Sequence, residues 1–193
     1  MADPFRSKRL IYRAPEQPKD EAFFLTIETD AIAYRNSNAA LSKPQSKESA
    51  KHYLKAVAEE TLLGVIICLP PPDAHSQPIP IGCIDLERLK PDVAHHRHAD
   101  IGVQILRPYQ GKGYGSEAIR WVLRWAFQTG GLHRVGIKAF SYNEGAVRLY
   151  ERLGFKREGV SREYVWFEGK WWDDVQFGML EWEWRETNQN AEK

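Results

Sequence analysis

A chain of 193 residues suits one domain and can bury a sizeable core. Its 42% apolar and 27% charged residues are ordinary for a soluble globular protein, and 27 basic against 26 acidic side chains leave a net charge of +1. That balance excludes the basic field of a nucleic-acid binder and an attraction to acidic membrane surfaces, and no apolar run approaches the ~20 residues of a membrane span.

Residues 1–8 are polar, lack the apolar centre of a secretory signal and read as a flexible start. Arg9–Arg13 reads as a first strand, ended by Pro15 and Pro18. The pattern predicts helices over 20–34 and 46–60, with a polar loop in Ser42–Ser49 between them. Leu62–Leu69 is a continuous apolar run, hence a buried strand. Prolines 70–72, 78 and 80 make a stiff exposed connector to a third strand, Ile79–Leu86. Cys68 and Cys83 lie in these apolar runs and read as buried free thiols of a reducing, cytoplasmic compartment.

In Asp100–Arg107 the apolar Ile101, Val103 and Ile105 alternate with Asp100, Gly102 and Gln104, giving a fourth strand with one polar face. Ile119, Val122, Leu123, Ala126 and Phe127 form one face of a helix over 116–129, terminated by Gly130-Gly131. Arg134–Phe140 is a fifth strand, and Ala146, Leu149, Tyr150 and Leu153 mark a further helix ended by Gly154. Phe155–Glu168 and Lys170–Trp184 read as a final hairpin about Glu168-Gly169, and 185–193 as a polar frayed tail. No internal repeat or second domain is visible, so the domain is placed at 9–184.

Between the fourth strand and the following helix lies Gln110-Gly111-Lys112-Gly113-Tyr114-Gly115-Ser116. Three glycines let the backbone approach a ligand closely, and bare N–H groups at a helix start suit a phosphate-type anion. The run is neither a Walker A loop, which needs Gly-Lys-Ser/Thr in frame, nor a G-x-G-x-x-G dinucleotide fingerprint. It does contain Gln-x-x-Gly-x-Gly, and further on Asn143-Glu144-Gly145-Ala146-Val147-Arg148-Leu149-Tyr150-Glu151-Arg152-Leu153-Gly154-Phe155 fits Asn-x-x-Ala-x-x-x-Tyr-x-x-x-Gly-Phe.

In that order the two segments resemble the signatures of the GNAT superfamily of N-acetyltransferases. The resemblance runs from about Arg9 to Trp184 and is closest to the ribosomal-protein alanine acetyltransferase (RimJ/RimL-like) branch. It departs in two places: only Tyr109 separates Pro108 from Gln110, and Lys138 falls where some relatives carry a glutamate. The resemblance implies an α/β acyl-CoA N-acyltransferase fold: a mixed, mostly antiparallel sheet of about seven strands, splayed between strands four and five and flanked by helices. It implies acetyl-CoA as co-substrate, no metal, and an amine acceptor attacked directly in a ternary complex.

Carried onto this sequence, the loop Gln110, Gly111, Lys112, Gly113, Tyr114, Gly115 and Ser116 would hold the pyrophosphate. Ile105 and Arg107 would pair with the pantetheine arm through backbone groups, and Asn143 would bond that arm, although Asn is also a favoured helix N-cap. Tyr150 would be the acid that protonates the leaving thiolate; its ordinary pKa of ~10 keeps it protonated at neutral pH. Asp100 stands where relatives often carry an acid and would deprotonate the amine directly or through water, or is a strand-edge acid bonded to neighbouring backbone. Lys138 speaks against a base on the fifth strand, and Asp173 and Asp174 are alternatives. The run His95-His96-Arg97-His98 offers consecutive side chains that do not converge easily on one ion. A protein N-terminus, a ribosomal protein or a small amine would each serve as acceptor. The alternative is a non-catalytic CoA-binding module with a regulatory or assembly role. The seven tryptophans, five of them at positions 166–184, leave a homodimer open.

Overall fold

The computed structural model of the chain describes residues 3–191, with side chains through Asn188. Its strands are β1 Ile11–Arg13, β2 Thr61–Leu69, β3 Ile79–Glu87, β4 His98–Ile105, β5 Arg134–Phe140, β6 Lys156–Phe167 and β7 Lys170–Leu180. Its helices are α1 Glu21–Thr29, α2 Ala31–Ser37, α3 Lys47–Glu59, α4 Tyr114–Arg124, α5 Glu144–Arg152 and α6 Glu181–Ala191. The strands form one sheet in the order β1-β2-β3-β4-β5-β7-β6. β4 and β5 run parallel, whereas β1–β2, β2–β3, β5–β7 and β6–β7 are antiparallel. This is the mixed α/β architecture that the sequence implies. Among the described residues no helix is long and apolar enough to cross a membrane.

The chain forms two compact units, Met1–Arg88 with Gly102–Val122, and Leu89–Ile101 with Leu123–Lys193. In the first, Phe24, Ala50, Leu54, Val57, Ile66 and Cys68 make a buried core under α1 and α3. Each large side chain so buried contributes about 1.5–3 kcal/mol. A reciprocal Ser46–Ser49 capping box starts α3. The helix expected over 20–34 is broken in two. Asp30 leaves helical geometry at ψ 89° and its carboxylate accepts the Ala33 N–H at 3.1 Å, capping α2.

The start of the chain, read from sequence as flexible, makes defined contacts beyond residues 1–2, which lie outside the described residues. Trp121 of α4 stacks on Tyr12 at 3.8 Å, and its indole N–H donates to Pro4 O at 2.9 Å. Ser7 Oγ donates to Glu117 Oε1 at 2.7 Å.

In the second unit β4 pairs with β5 over three positions only, His98–Asp100 with Arg134–Gly136. β5 pairs with β7 along its whole length, Arg134 to Phe140. The β6–β7 hairpin turns at Glu168 (φ 49°) and Gly169 (φ 79°), both left-handed as a tight two-residue hairpin requires. A bulge in β6 centres on Glu163, whose N–H donates to Asp173 Oδ1 at 2.9 Å. The helix expected over 116–129 is α4 followed by a π turn, Trp125–Thr129. The last strand ends at Leu180 rather than Trp184, and α6 replaces most of the expected tail, of which 192–193 lie outside the described residues. The Glu183 carboxylate accepts the Leu180 N–H at 2.9 Å, and Trp184 packs on Phe127 at 5.6 Å. Cap and apolar anchor together stabilise that helix.

Candidate functional site

The first unit carries the glycine loop. Leu106 N–H donates to Ile81 O at 2.9 Å. By strand alternation the backbone groups of Ile105 therefore point away from β3. The Ile105 carbonyl is already engaged, accepting Gln110 Nε2 at 2.8 Å, so Gln110 ties the loop to the end of β4. Arg107 opens a single 3-10 turn. Its N–H donates to Asp30 Oδ2 at 3.1 Å and its carbonyl accepts the Gln110 N–H at 3.2 Å. The free backbone expected at Arg107 is thus satisfied within the protein, and of the two residues the Ile105 N–H is the one left to offer.

Gly111 (φ 71°) and Gly113 (φ 82°) adopt left-handed backbone. Each would cost a residue with a Cβ about 1–2 kcal/mol. They set the N–H groups of Tyr114, Gly115 and Ser116 ahead of the first intrahelical bond, from Glu117 N–H to Gly113 O at 3.1 Å. Lys112 folds back, its Nζ donating to Pro108 O at 2.8 Å above the Tyr109 ring. The cation at the cradle is instead Arg9, which no motif singled out. Arg9 Nη1 donates to Lys112 O at 3.0 Å, its Nη2 would stand 3.3 Å from a Cβ on Gly113, and its guanidinium lies 4.7 Å from the Tyr114 ring centre. Glu117 fixes it, accepting Arg9 Nε at 2.7 Å and the Arg9 backbone N–H at 2.7 Å. Burial works to raise the Glu117 pKa, but Ser7 and Arg9 outweigh it and hold the carboxylate below its usual range. Bare amides at a helix start beside a fixed guanidinium fit a diphosphate.

The second unit carries the other signature. Asn143 caps α5, its Oδ1 accepting the Ala146 N–H at 3.2 Å. About two helical turns past Asn143 along α5, Tyr150 points inward, 6% exposed, with Phe177 edge-on at 5.8 Å and Phe155 at 6.1 Å. Its hydroxyl makes no hydrogen bond to a described residue. No fully buried side-chain oxygen or nitrogen among the described residues lacks a partner, so this hydroxyl keeps an opening to solvent. Burial pushes its pKa up to about 12.

Asp100 lies over Gly136, and its Oδ2 is 3.1 Å from Lys138 Nζ. Lys138 also acts on Asp174, which is 6% exposed and whose pKa is raised, chiefly by burial. The residue expected as the base, Asp100, is therefore engaged in an ion pair with Lys138. Asp173 braces the β6 bulge through Oδ1. His95 and His96 form part of a short 3-10 turn with their rings 3.9 Å apart. Among the described residues no three or more His, Cys, Asp or Glu side chains gather as a metal site. Cys68 and Cys83 are both buried and free.

Residues 9–156 match the family model described as an acetyltransferase (GNAT) domain. The N-acetyltransferase YoaA of Bacillus subtilis is 38% identical over 85 residues, 44% of this chain and 48% of its own length. The ribosomal protein uS5-alanine N-acetyltransferase of Escherichia coli is 33% identical over 75 residues, 39% of each chain. The chain thus spans about half, or less, of the length of the curated relatives it matches. Among solved structures, a spermidine N-acetyltransferase from Vibrio cholerae in complex with CoA and spermine superposes with a TM-score of 0.74 at 23% identity, over 93% of this chain and 99% of that one. An acetyltransferase (GNAT family) from Bacillus anthracis gives 0.74 at 21%, over 92% and 98%. These two share the fold, and the match over 9–156 takes in the glycine loop, Asn143 and Tyr150: the chain belongs to the acetyltransferase (GNAT) family.

Proposed function

We propose that the chain is an acetyl-CoA-dependent N-acetyltransferase, acting as one domain over 9–184 and moving acetyl to a primary amine by direct attack in a ternary complex. The observation that carries this reading is the cradle of Gly111 and Gly113 at the start of α4 with Arg9 beside it. Amides of Tyr114–Ser116 and the Arg9 guanidinium hold the pyrophosphate. The Ile105 N–H and Asn143 take the pantetheine arm. The amine nitrogen bonds to the thioester carbon, the carbon–sulfur bond breaks, Tyr150 gives its proton to the departing sulfur, and the proton that the nitrogen sheds on becoming an amide restores the Tyr150 hydroxyl. Its raised pKa keeps that proton in place throughout the physiological range.

The acceptor is an amine. The uS5-alanine enzyme and the spermidine enzyme stand for its two kinds, a protein N-terminus and a small polyamine. Titration calorimetry with acetyl-CoA, followed by thiol-release assays across an amine panel and an N-terminal peptide library, tests the proposal. Micromolar binding with release on one class supports it, and no binding at millimolar acetyl-CoA ends it. A second reading, a CoA-binding module without turnover, draws on the Asp100–Lys138 ion pair, which takes up the expected base. Binding without release on any amine would favour that module.

A further inference from the structure

The first unit holds a carboxylate that the proposed chemistry has not used. Asp85 lies on β3 opposite Gly64 of β2, and a Cβ on its β4 neighbour Gly102 would stand 2.7 Å from its Oδ1. Glycine thus stands beside Asp85 on both neighbouring strands, and its carboxylate lies over Gly102. Asp85 is mostly buried and makes no hydrogen bond or ion pair with any described residue. The groups that reach it electrostatically are all acids or neutral: Glu87 on β3, Cys83 two residues before it, Tyr53 on α3 and, through Tyr53 and Cys83, Glu28 on α1. No cation shifts its titration.

The neighbours are fixed in their neutral forms. The Cys83 thiol is pushed up to about 12, chiefly by burial, and the Tyr53 hydroxyl well above its usual value for the same reason. Tyr53 OH sits 3.2 Å from Cys83 Sγ and donates to Gln104 Oε1 at 3.4 Å. Gln104 and Gly102 share the polar face of β4, the strand whose end carries Ile105. Burying a carboxylate with no partner is costly, and such a group usually has a function to perform. Its missing counter-charge is one an alkylammonium supplies.

Resting on the proposed acetyl transfer, we infer that Asp85 is the general base that receives the proton of the acceptor ammonium. The ammonium N–H bond breaks, its electron pair stays on nitrogen, the proton goes to an Asp85 carboxylate oxygen, and the free amine attacks the thioester carbon. Asp100, tied to Lys138, is not needed for that step. The burial that makes Asp85 expensive also sets its pKa at about 7, where a base is most effective near neutral pH.

The test is the pH dependence of kcat/KM with amines of different basicity. The native protein is expected to show an activity limb rising through about pH 7, at the same place for every acceptor. Asp85→Asn is expected to remove that limb and to lower kcat/KM by about 10²–10⁴-fold. Acetyl-CoA affinity should stay within about twofold, which shows that the variant is folded, and the loss should shrink for weakly basic amines already neutral at the assay pH. A native profile whose limb moves with the acceptor pKa, or an Asp85→Asn variant with native rates, overturns the inference while leaving acetyl transfer intact. Absence of thiol release from the native protein on every amine would remove both.

Discussion

Arg9 and Glu117, 108 residues apart, are joined by two contacts of 2.7 Å, one from the guanidinium Nε and one from the backbone N–H. This pair sets a cation against the glycine loop before any ligand arrives. Arg9→Ala is expected to weaken acetyl-CoA about tenfold, about 1.4 kcal/mol, and to reduce the salt dependence of binding. Calorimetry at two ionic strengths would read both, and an unchanged affinity would remove Arg9 from the site.

Gly113 is the position where the loop tolerates least. With φ at 82° and Arg9 3.3 Å from where a Cβ would stand, Gly113→Ala is expected to cost about 1–2 kcal/mol of strain and to weaken acetyl-CoA further by displacing Arg9. Gly111→Ala has open space around its Cβ and should cost the strain alone. Equal acetyl-CoA affinities for the two variants would contradict a cradle built around Arg9.

Tyr150→Phe removes a hydroxyl that bonds to no described residue and leaves the ring among Phe155 and Phe177. Stability should change by less than about 1 kcal/mol, while kcat falls by about 10²-fold or more with acetyl-CoA affinity retained. A kcat within a factor of about two of native would exclude Tyr150 as the acid.

Asp20 is the ionic anchor of the first unit. It is 3% exposed and accepts Arg13 Nη1 and Nη2 at 2.8 and 2.6 Å. Burial alone would raise its pKa, but the Arg13 donors and the Glu16 N–H prevail and lower it. A depressed folded pKa contributes stability above the unfolded value of ~3.9, and that stability is lost as pH falls below it. Asp20→Ala leaves Arg13 uncompensated and is expected to cost about 2–4 kcal/mol at pH 7, with a smaller penalty near pH 3. Urea midpoints at the two pH values would show it.

Asp85 has the opposite linkage. Its pKa is raised on folding to about 7, so its contribution to stability is greatest at acid pH and is lost as pH rises toward and through 7. Asp85→Asn should therefore be more stable than the native protein at pH 8, on the order of 2 kcal/mol, with the gain vanishing near pH 4. A variant less stable than native at pH 8 would show that the carboxylate is satisfied in a way the structure does not contain.

Local patterning carried most of the secondary structure. The run at β2, the alternation in β4 and the Glu168-Gly169 turn each bear their own signal, since burial and turn geometry act over a few residues. Local pattern and structure part where a longer-range partner intervenes. Asp30 breaks the first helix because its carboxylate serves Ala33 and the distant Arg107 N–H together. The segment Glu181–Trp184 alternates like a strand, yet it turns helical because Glu183 caps it and Trp184 finds Phe127.

The sequence by itself determined the family, through the glycine-loop pattern and the Asn143-to-Phe155 pattern, because such signatures depend on residue types at fixed short spacings along one element. Only the tertiary structure decided which charges stand free. It brought Arg9 to the loop from near the start of the chain, turned Lys112 away, bound Asp100 to Lys138 and left Asp85 without a counter-ion among the described residues. Whether a charge is neutralised depends on what lies within a few ångströms of it in space, and a linear pattern does not encode that distance.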